Sequence, residues 1–309
     1  MIEKIQRRKG IKSTLFLMPS LVLLVTFFVG PVILAVFYSM TNKALTGSAA
    51  LATEFVGFAN FLEFFKDPKF SVAFSNTMWF LIFSGLIGQM VLGFLIAYMM
   101  QKKNKNFRRI VGFVVLTAWV TPEVVTAFMF TVIFEERGVV NQLLSQFGVS
   151  PIAWLFTFPL VSVIVANAWR GAAYPMMMFQ AALDNVPAEI MESARVDGAN
   201  AFQILTKITL PMIKSTAGTV FIMVTLGTLN TFGLIYALTG GGPANKSTTL
   251  SLLMYQRAFL SYQIGYGMAI ALCLLAVGII FSLAYIRLNN QSERPKKMKK
   301  RKVGEYGQA

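Results

Sequence analysis

Residues 70–101 read FSVAFSNTMWFLIFSGLIGQMVLGFLIAYMMQ and contain no Asp, Glu, Lys or Arg. An α-helix rises about 1.5 Å per residue and the hydrocarbon core of a bilayer is about 30 Å thick, so roughly 20 apolar residues make one crossing. The run is long enough for one crossing and too short for two with a turn. Working outward, charge-free windows recur at 13–42, at 110–122 continuing as 124–134, at 138–169 continuing as 171–183, at 215–245 and at 258–286. The spacing predicts six transmembrane helices, at about 14–38, 73–100, 110–134, 155–180, 215–238 and 264–287. The expected fold class is all-α, a polytopic membrane protein. Its membrane-spanning body is expected over 14–288, with basic tails at 1–13 and 289–309.

Composition agrees. The chain has 309 residues, 56% hydrophobic and 13% charged, where soluble domains carry about 25% charged residues. Mean hydropathy is +0.62. A soluble domain, a disordered chain and a disulfide scaffold are all disfavoured. There is no His, and the one Cys, Cys273, lies in an apolar run where a small packing residue is the plain reading. The 13 acidic residues are scattered, so no metal site is expected, and the chain does not read as an enzyme. The first apolar stretch, Leu15 to Tyr38, exceeds the 7–15 residues of a signal-peptide core and reads as a retained helix.

The net charge of +15 raises nucleic acid as a partner, but its distribution argues for membrane lipid instead. With a cytoplasmic N-terminus, 21 of the 28 Lys and Arg fall on the inside, six fall outside and Arg170 lies within a helix. That bias is the positive-inside pattern of a multi-pass protein of the cell (inner or plasma) membrane with both termini cytoplasmic. The basic run Lys296–Lys302 then reads as a solvated or headgroup-facing tail, with no nucleic-acid partner.

Glu123 and Arg170 are the charged residues placed well inside the bilayer. Each lies 14 residues from its cytoplasmic flank, Arg109 or Asp184, so the two share one depth. Intramembrane charges are costly and face a cavity or one another. Equal depth allows an ion pair, separate cavity positions or direct solute contact. Asn230, an amide in the fifth expected helix, is a cavity candidate and equally a helix–helix hydrogen-bond candidate. Pro122 and Pro175 are expected to loosen the third and fourth helices.

Residues 184–211, DNVPAEIMESARVDGANAFQILTKITLP, are more than a connector. Asp184 or Asn185 is expected to cap a helix and Pro187 suits its first turn. Glu189 sits near the positive end, Ile190, Met191 and Ala194 share a face, and Asp197-Gly198 breaks the helix. A second short helix carries Phe202, Leu205 and Ile208 and ends at Pro211. Two exposed short helices at an angle suit either a partner's groove or the headgroup layer.

This segment resembles the signature cytoplasmic loop of binding-protein-dependent ABC importer permeases, Glu-Ala-Ala, Asp-Gly-Ala and Ile-x-Leu-Pro at fixed spacing. Here it reads Glu192-Ser193-Ala194, Asp197-Gly198-Ala199 and Ile208-Thr209-Leu210-Pro211, with Ser193 the one departure. Leu238-Thr239-Gly240-Gly241-Gly242-Pro243, then Thr248, Tyr255, Ala258-Phe259 and Gly265, resemble the carbohydrate-importer branch, in particular the maltose-type first permease. Gly138, Asn141, Leu144 and Trp154 match that branch's second outside loop.

The resemblance implies a type I ABC importer permease fold and one half of a translocation path. It implies a heterodimer with a second homologous permease subunit, and two cytoplasmic ATPase subunits. An extracytoplasmic solute-binding protein would deliver a carbohydrate. The ATPase-coupling residues would be Glu189, Met191, Glu192, Ser193, Ala194, Asp197, Gly198, Ala199, Phe202, Leu210 and Pro211. ATP and Mg would be bound by the ATPase subunits, with no cofactor in this chain, which lacks a Gly-x-x-x-x-Gly-Lys-Ser/Thr loop. The alternative reading, an ion-coupled secondary transporter, would call for intramembrane carboxylates or inverted halves.

Overall fold

A computed structural model describes residues 16–293, with side chains to 287. Of the basic tails expected at 1–13 and 289–309, the first and the part of the second beyond 293 lie outside the described residues, while 289–293 continue the last helix. No strand occurs among the described residues, apart from an isolated antiparallel bridge between Thr41 and Phe55.

Three helices are long and apolar enough to cross a bilayer unaided: α1 (Phe16–Ser39), α3 (Pro68–Met100) and α14, whose span is Ile264–Arg287 and which continues to Glu293. A short helix α2 (Ala59–Lys66) precedes α3. The other expected crossings are interrupted. The helix expected at 110–134 is two pieces, α4 (Lys105–Val120) and α5 (Glu123–Phe134), and the stretch Glu123–Ser145 that α5 opens is bent by 103° from α4. Pro122 explains the break, since the residue before a proline is driven from helical to extended geometry and Thr121 has ψ of 127°. After α6 (Val139–Ser145), the helix expected at 155–180 appears as α7 (Pro159–Gly171) and α8 (Ala173–Asp184), joined at Ala172. Pro175 falls in the first turn of α8, where its missing N–H costs no helical bond.

The loop between them and the fifth crossing forms α9 (Ala188–Val196) and α10 (Ala201–Met212), the latter bent by 71° from α11 (Lys214–Asn230). The crossing expected to continue to 238 stops at Asn230. Thr231 and Phe232 leave helical geometry, and α12 (Gly233–Thr239) follows. The three glycines after α12 all adopt positive φ and make a tight loop leading to α13 (Leu250–Tyr255).

Three buried clusters hold these pieces together. One joins Phe80 of α3, Phe130 and Phe134 of α5, Val163 of α7 and Leu234 and Ile235 of α12. A second joins Ala97 and Met100, Met176 and Phe179, and Val220 and Val224, across α3, α8 and α11. A third packs Phe64, Leu250, Leu253 and Ile270 at the other end of α3. Much of the remaining apolar surface, α1 above all, is exposed, as lipid-facing helices require.

Candidate functional site

The two mid-bundle breaks, at Thr121 and Thr231, meet. Arg170 on α7 donates from Nε to the Thr121 carbonyl at 3.2 Å and from Nη1 to Glu123 Oε1 at 3.4 Å. Glu123 Oε2 accepts the backbone N–H of Leu234 at 3.2 Å, in the first turn of α12. A broken helix leaves backbone groups without intrahelical partners, and in an apolar setting each must be satisfied. One ion pair does this for both breaks. The carboxylate also lies at the positive end of α12, where negative charge is favoured.

The same pair lines a cavity of about 360 Å³. Gln89, Asn167 and Thr228 supply neutral polar groups, while Trp119 and Tyr174 supply ring surface. Gln89 Nε2 donates to Thr228 Oγ1 at 3.4 Å, and Asn167 donates to Ser84. Glu123 and Arg170 are therefore paired and cavity-lining at once. Asn230 is elsewhere: its amide bonds back to Leu226 O at 2.8 Å, and it borders an apolar groove between α11 and α14. Gln89, Asn167 and Thr228 were not singled out from sequence. Their signal is that of isolated neutral polar residues inside charge-free windows.

Of the other tryptophans, Trp154 donates to Asn141, Trp169 packs edge-on to Phe130, and Trp79 stacks on Phe83. In the Met176–Met178 run, Met176 is buried in the second cluster and its two neighbours pack against that cluster.

The loop of residues 184–211 is built at one end of the bundle. α9 starts at Ala188 behind Pro187 without a side-chain cap. Neither residue expected to cap it does so: Asp184 pairs with Arg108 at the foot of α4, and Asn185 donates to Ala181 O. The C-terminus is fully capped. Gly198, at φ +82°, donates to Arg195 O, and Ala199 donates to Ala194 O, the paired bonds of a Schellman motif. Asn200 and Gln203 then form a capping box that starts α10. Pro211, expected to end that helix, lies within its last turn, and the bend falls at Ile213.

Met191 packs inward on the second cluster and Ala194 and Ala199 are half-buried, whereas Ile190 turns out to solvent. Glu189, Glu192, Ser193, Asp197, Leu210 and Pro211 are exposed, and Val196 and Phe202 reach 89% and 72% exposure. A rigid, capped corner with outward apolar side chains is therefore anchored from beneath by Met191.

A helical membrane protein with broken helices around a polar cavity and a capped corner at one face has the architecture of a transport permease. The chain belongs to the family described as binding-protein-dependent transport system inner membrane component, whose model matches residues 89–293. The multiple sugar-binding transport system permease protein MsmF of Streptococcus mutans is 36% identical over 288 residues, covering 90% of this chain and 95% of that one. The trehalose/maltose transport system permease protein MalF of Thermococcus litoralis is 28% identical, covering 92% and 95%. In fold, the chain is similar to a chain of a bacterial ABC transporter involved in the import of the acidic polysaccharide alginate. That match has a TM-score of 0.76 and 22% identity, over 94% of this chain and 99% of that one. The protein is a multi-pass permease component of an ABC importer, and the secondary-transporter alternative is set aside.

Proposed function

We propose that this permease carries a carbohydrate, and that its cavity beside Glu123 and Arg170 forms part of the path. Relatives that carry sugar importers in their names support the solute class. The cavity supports it too, since neutral amides and hydroxyls beside aromatic rings suit a polyol with apolar ring faces. A second, homologous permease would supply the other half of the path, and an extracytoplasmic binding protein would deliver the solute. Two cytoplasmic ATPase subunits would bind ATP and Mg and dock on the corner of α9 and α10. The excess of Lys and Arg on the loop between α3 and α4 supports a cytoplasmic corner and cytoplasmic termini.

The observation that carries this reading is the outward face of Val196 and Phe202 on a corner rigidly capped at Gly198. The test is solute-stimulated ATP hydrolysis by the chain co-assembled with its partner permease, ATPase and binding protein. Nothing lies within 4 Å of a Cβ built at Gly198. Gly198→Asp therefore adds backbone strain of about 1–2 kcal/mol and a charge, without a steric clash. The variant complex is expected to assemble and to lose stimulation. Unchanged stimulation would remove the corner as the docking element.

A further inference from the structure

At the end of the bundle that carries Lys102 to Arg109, a cavity of about 800 Å³ opens between the loop corner and the ends of α3 and α8. Its apolar wall includes the buried Leu183, Val186 and Ile204. Its polar side includes Tyr98 and Gln101, and two cations, Lys102 and Arg195, line it from opposite elements. Neither cation makes an ion pair with any described residue. The acid in the lining, Asp184, is already engaged by Arg108. The site therefore carries uncompensated positive charge beside an apolar wall.

We propose that this cavity binds a phosphate-bearing anion, with Lys102 and Arg195 on the phosphate and the carbon skeleton against Leu183, Val186 and Ile204. Two unpaired cations facing one cavity gain from a shared anion, and charge-assisted hydrogen bonds are among the strong ones. The volume lies in the range of about 300–1,000 Å³ typical of small-molecule sites, larger than a bare phosphate needs. An acidic phospholipid headgroup and a soluble phosphate ester share this chemistry. Either would tie Lys102, at the end of α3, to Arg195 on α9. It would thereby brace the loop corner against the transmembrane helices. The nature of the transported solute does not bear on this site, whose Arg195 lies on the same corner as the proposed ATPase dock.

The experiment is native mass spectrometry of the full chain, assembled with its partners, in micelles holding equal amounts of phosphatidylglycerol and phosphatidylcholine. A parallel titration uses glycerol 3-phosphate. The wild type is expected to retain phosphatidylglycerol over phosphatidylcholine. Removing each cation should weaken retention about tenfold, since a hydrogen bond to a charged group is worth about 1.5–3 kcal/mol. Lys102→Ala with Arg195→Ala should lose the preference, while Lys103→Ala, outside the cavity, should keep it. If glycerol 3-phosphate binds the wild type, not the double variant, and lipid retention shows no preference, the site stands with a soluble ligand. If neither probe distinguishes wild type from the double variant, the proposal fails. Should the double variant not assemble, Lys102→Gln, in an exposed turn, takes its place under the same criteria.

Discussion

Glu123 accepts the backbone N–H of Leu234, a residue 111 positions further along the chain. With Arg170 on its other oxygen, this carboxylate joins the start of α5 to the start of α12 and both to α7. The interruptions are thus stitched to each other, and the cavity is framed by that stitch. A solute passing Glu123 and Arg170 would sense, and be sensed by, two helix breaks at once.

The ion pair should show strong coupling. The side chains are 31% and 24% exposed, so part of the charge is solvated and the penalty falls below that of a fully buried pair. Glu123→Gln and Arg170→Met are each expected to lower the thermal stability of the purified chain. The double variant should be less damaged than the sum of the two. A coupling energy of about 1–2 kcal/mol is expected from the double-mutant cycle, and simple additivity would mean the pair contributes nothing beyond its separate contacts.

The crossing of α3 and α8 depends on Gly93. A Cβ there would lie 2.6 Å from Pro175 Cβ, 2.7 Å from the Met176 nitrogen and 2.9 Å from the Ala172 carbonyl oxygen. Two of those atoms are backbone, which moves only if the helices separate. Gly93→Ala should destabilise the chain by about 1–3 kcal/mol, the ordinary cost of overpacking. Gly112→Ala, on α4 with nothing within 4 Å, should be neutral or stabilising by up to about 1 kcal/mol through helix propensity. Equal effects in thermal unfolding would show that the α3–α8 contact is looser than it looks.

The loop matched through Gly138, Asn141, Leu144 and Trp154 has a physical centre at Asn141, which is buried. Its amide donates to the carbonyls of Glu135 and Ile152 at 3.0 and 2.9 Å, and its oxygen accepts from Ile152 N and Trp154 Nε1, each at 3.1 Å. Asn141→Ala leaves these groups to find water or remain unpaired, at about 1–3 kcal/mol for each buried group left unsatisfied. A total loss of about 2–4 kcal/mol is expected, with a shift in the fluorescence of Trp154. A variant with wild-type stability and emission would mean that water replaces the amide without cost.

What could be read from the sequence follows physical range. Charge-free windows placed the spans because a bilayer imposes its thickness on each one separately. The break inside the signature loop was legible because Asp197-Gly198 ends a helix by local rules, whereas the capping box of Asn200 and Gln203 was not singled out. Equal depth left an ion pair of Glu123 and Arg170 as one of three readings, because depth is counted from a flank by helix rise but the facing of two helices is not. The break at Thr231 was hidden, since no proline marks it and its compensation comes from Glu123, remote in sequence. Asp184 also misled. Locally it is a good N-cap, but Arg108 claims its carboxylate. Gln89 and Asn167 share a cavity only after three helices pack.

At the end of α3 opposite to Lys102, Asp67 caps the helix through the Lys69 N–H at 2.9 Å. It also accepts from Arg257 at 2.6 Å and from the Tyr266 hydroxyl at 3.2 Å, with the Arg257 cation 5.1 Å from the Tyr266 ring centre. Burial by itself would raise the carboxyl's pKa. The Lys69 amide and Arg257 outweigh it and hold the group below its ordinary value of 3.8. A carboxyl lowered on folding adds stability that is complete above its unfolded value and is lost as pH falls through the folded one. Asn at this position still caps a helix but carries no charge. The gap in melting temperature between wild type and Asp67→Asn should therefore be constant at neutral to mildly acidic pH and close as pH drops below 3.8. Scans of the detergent-purified proteins over a pH series would show it. A gap that widened on acidification would mean that burial, not Arg257, sets the charge of Asp67.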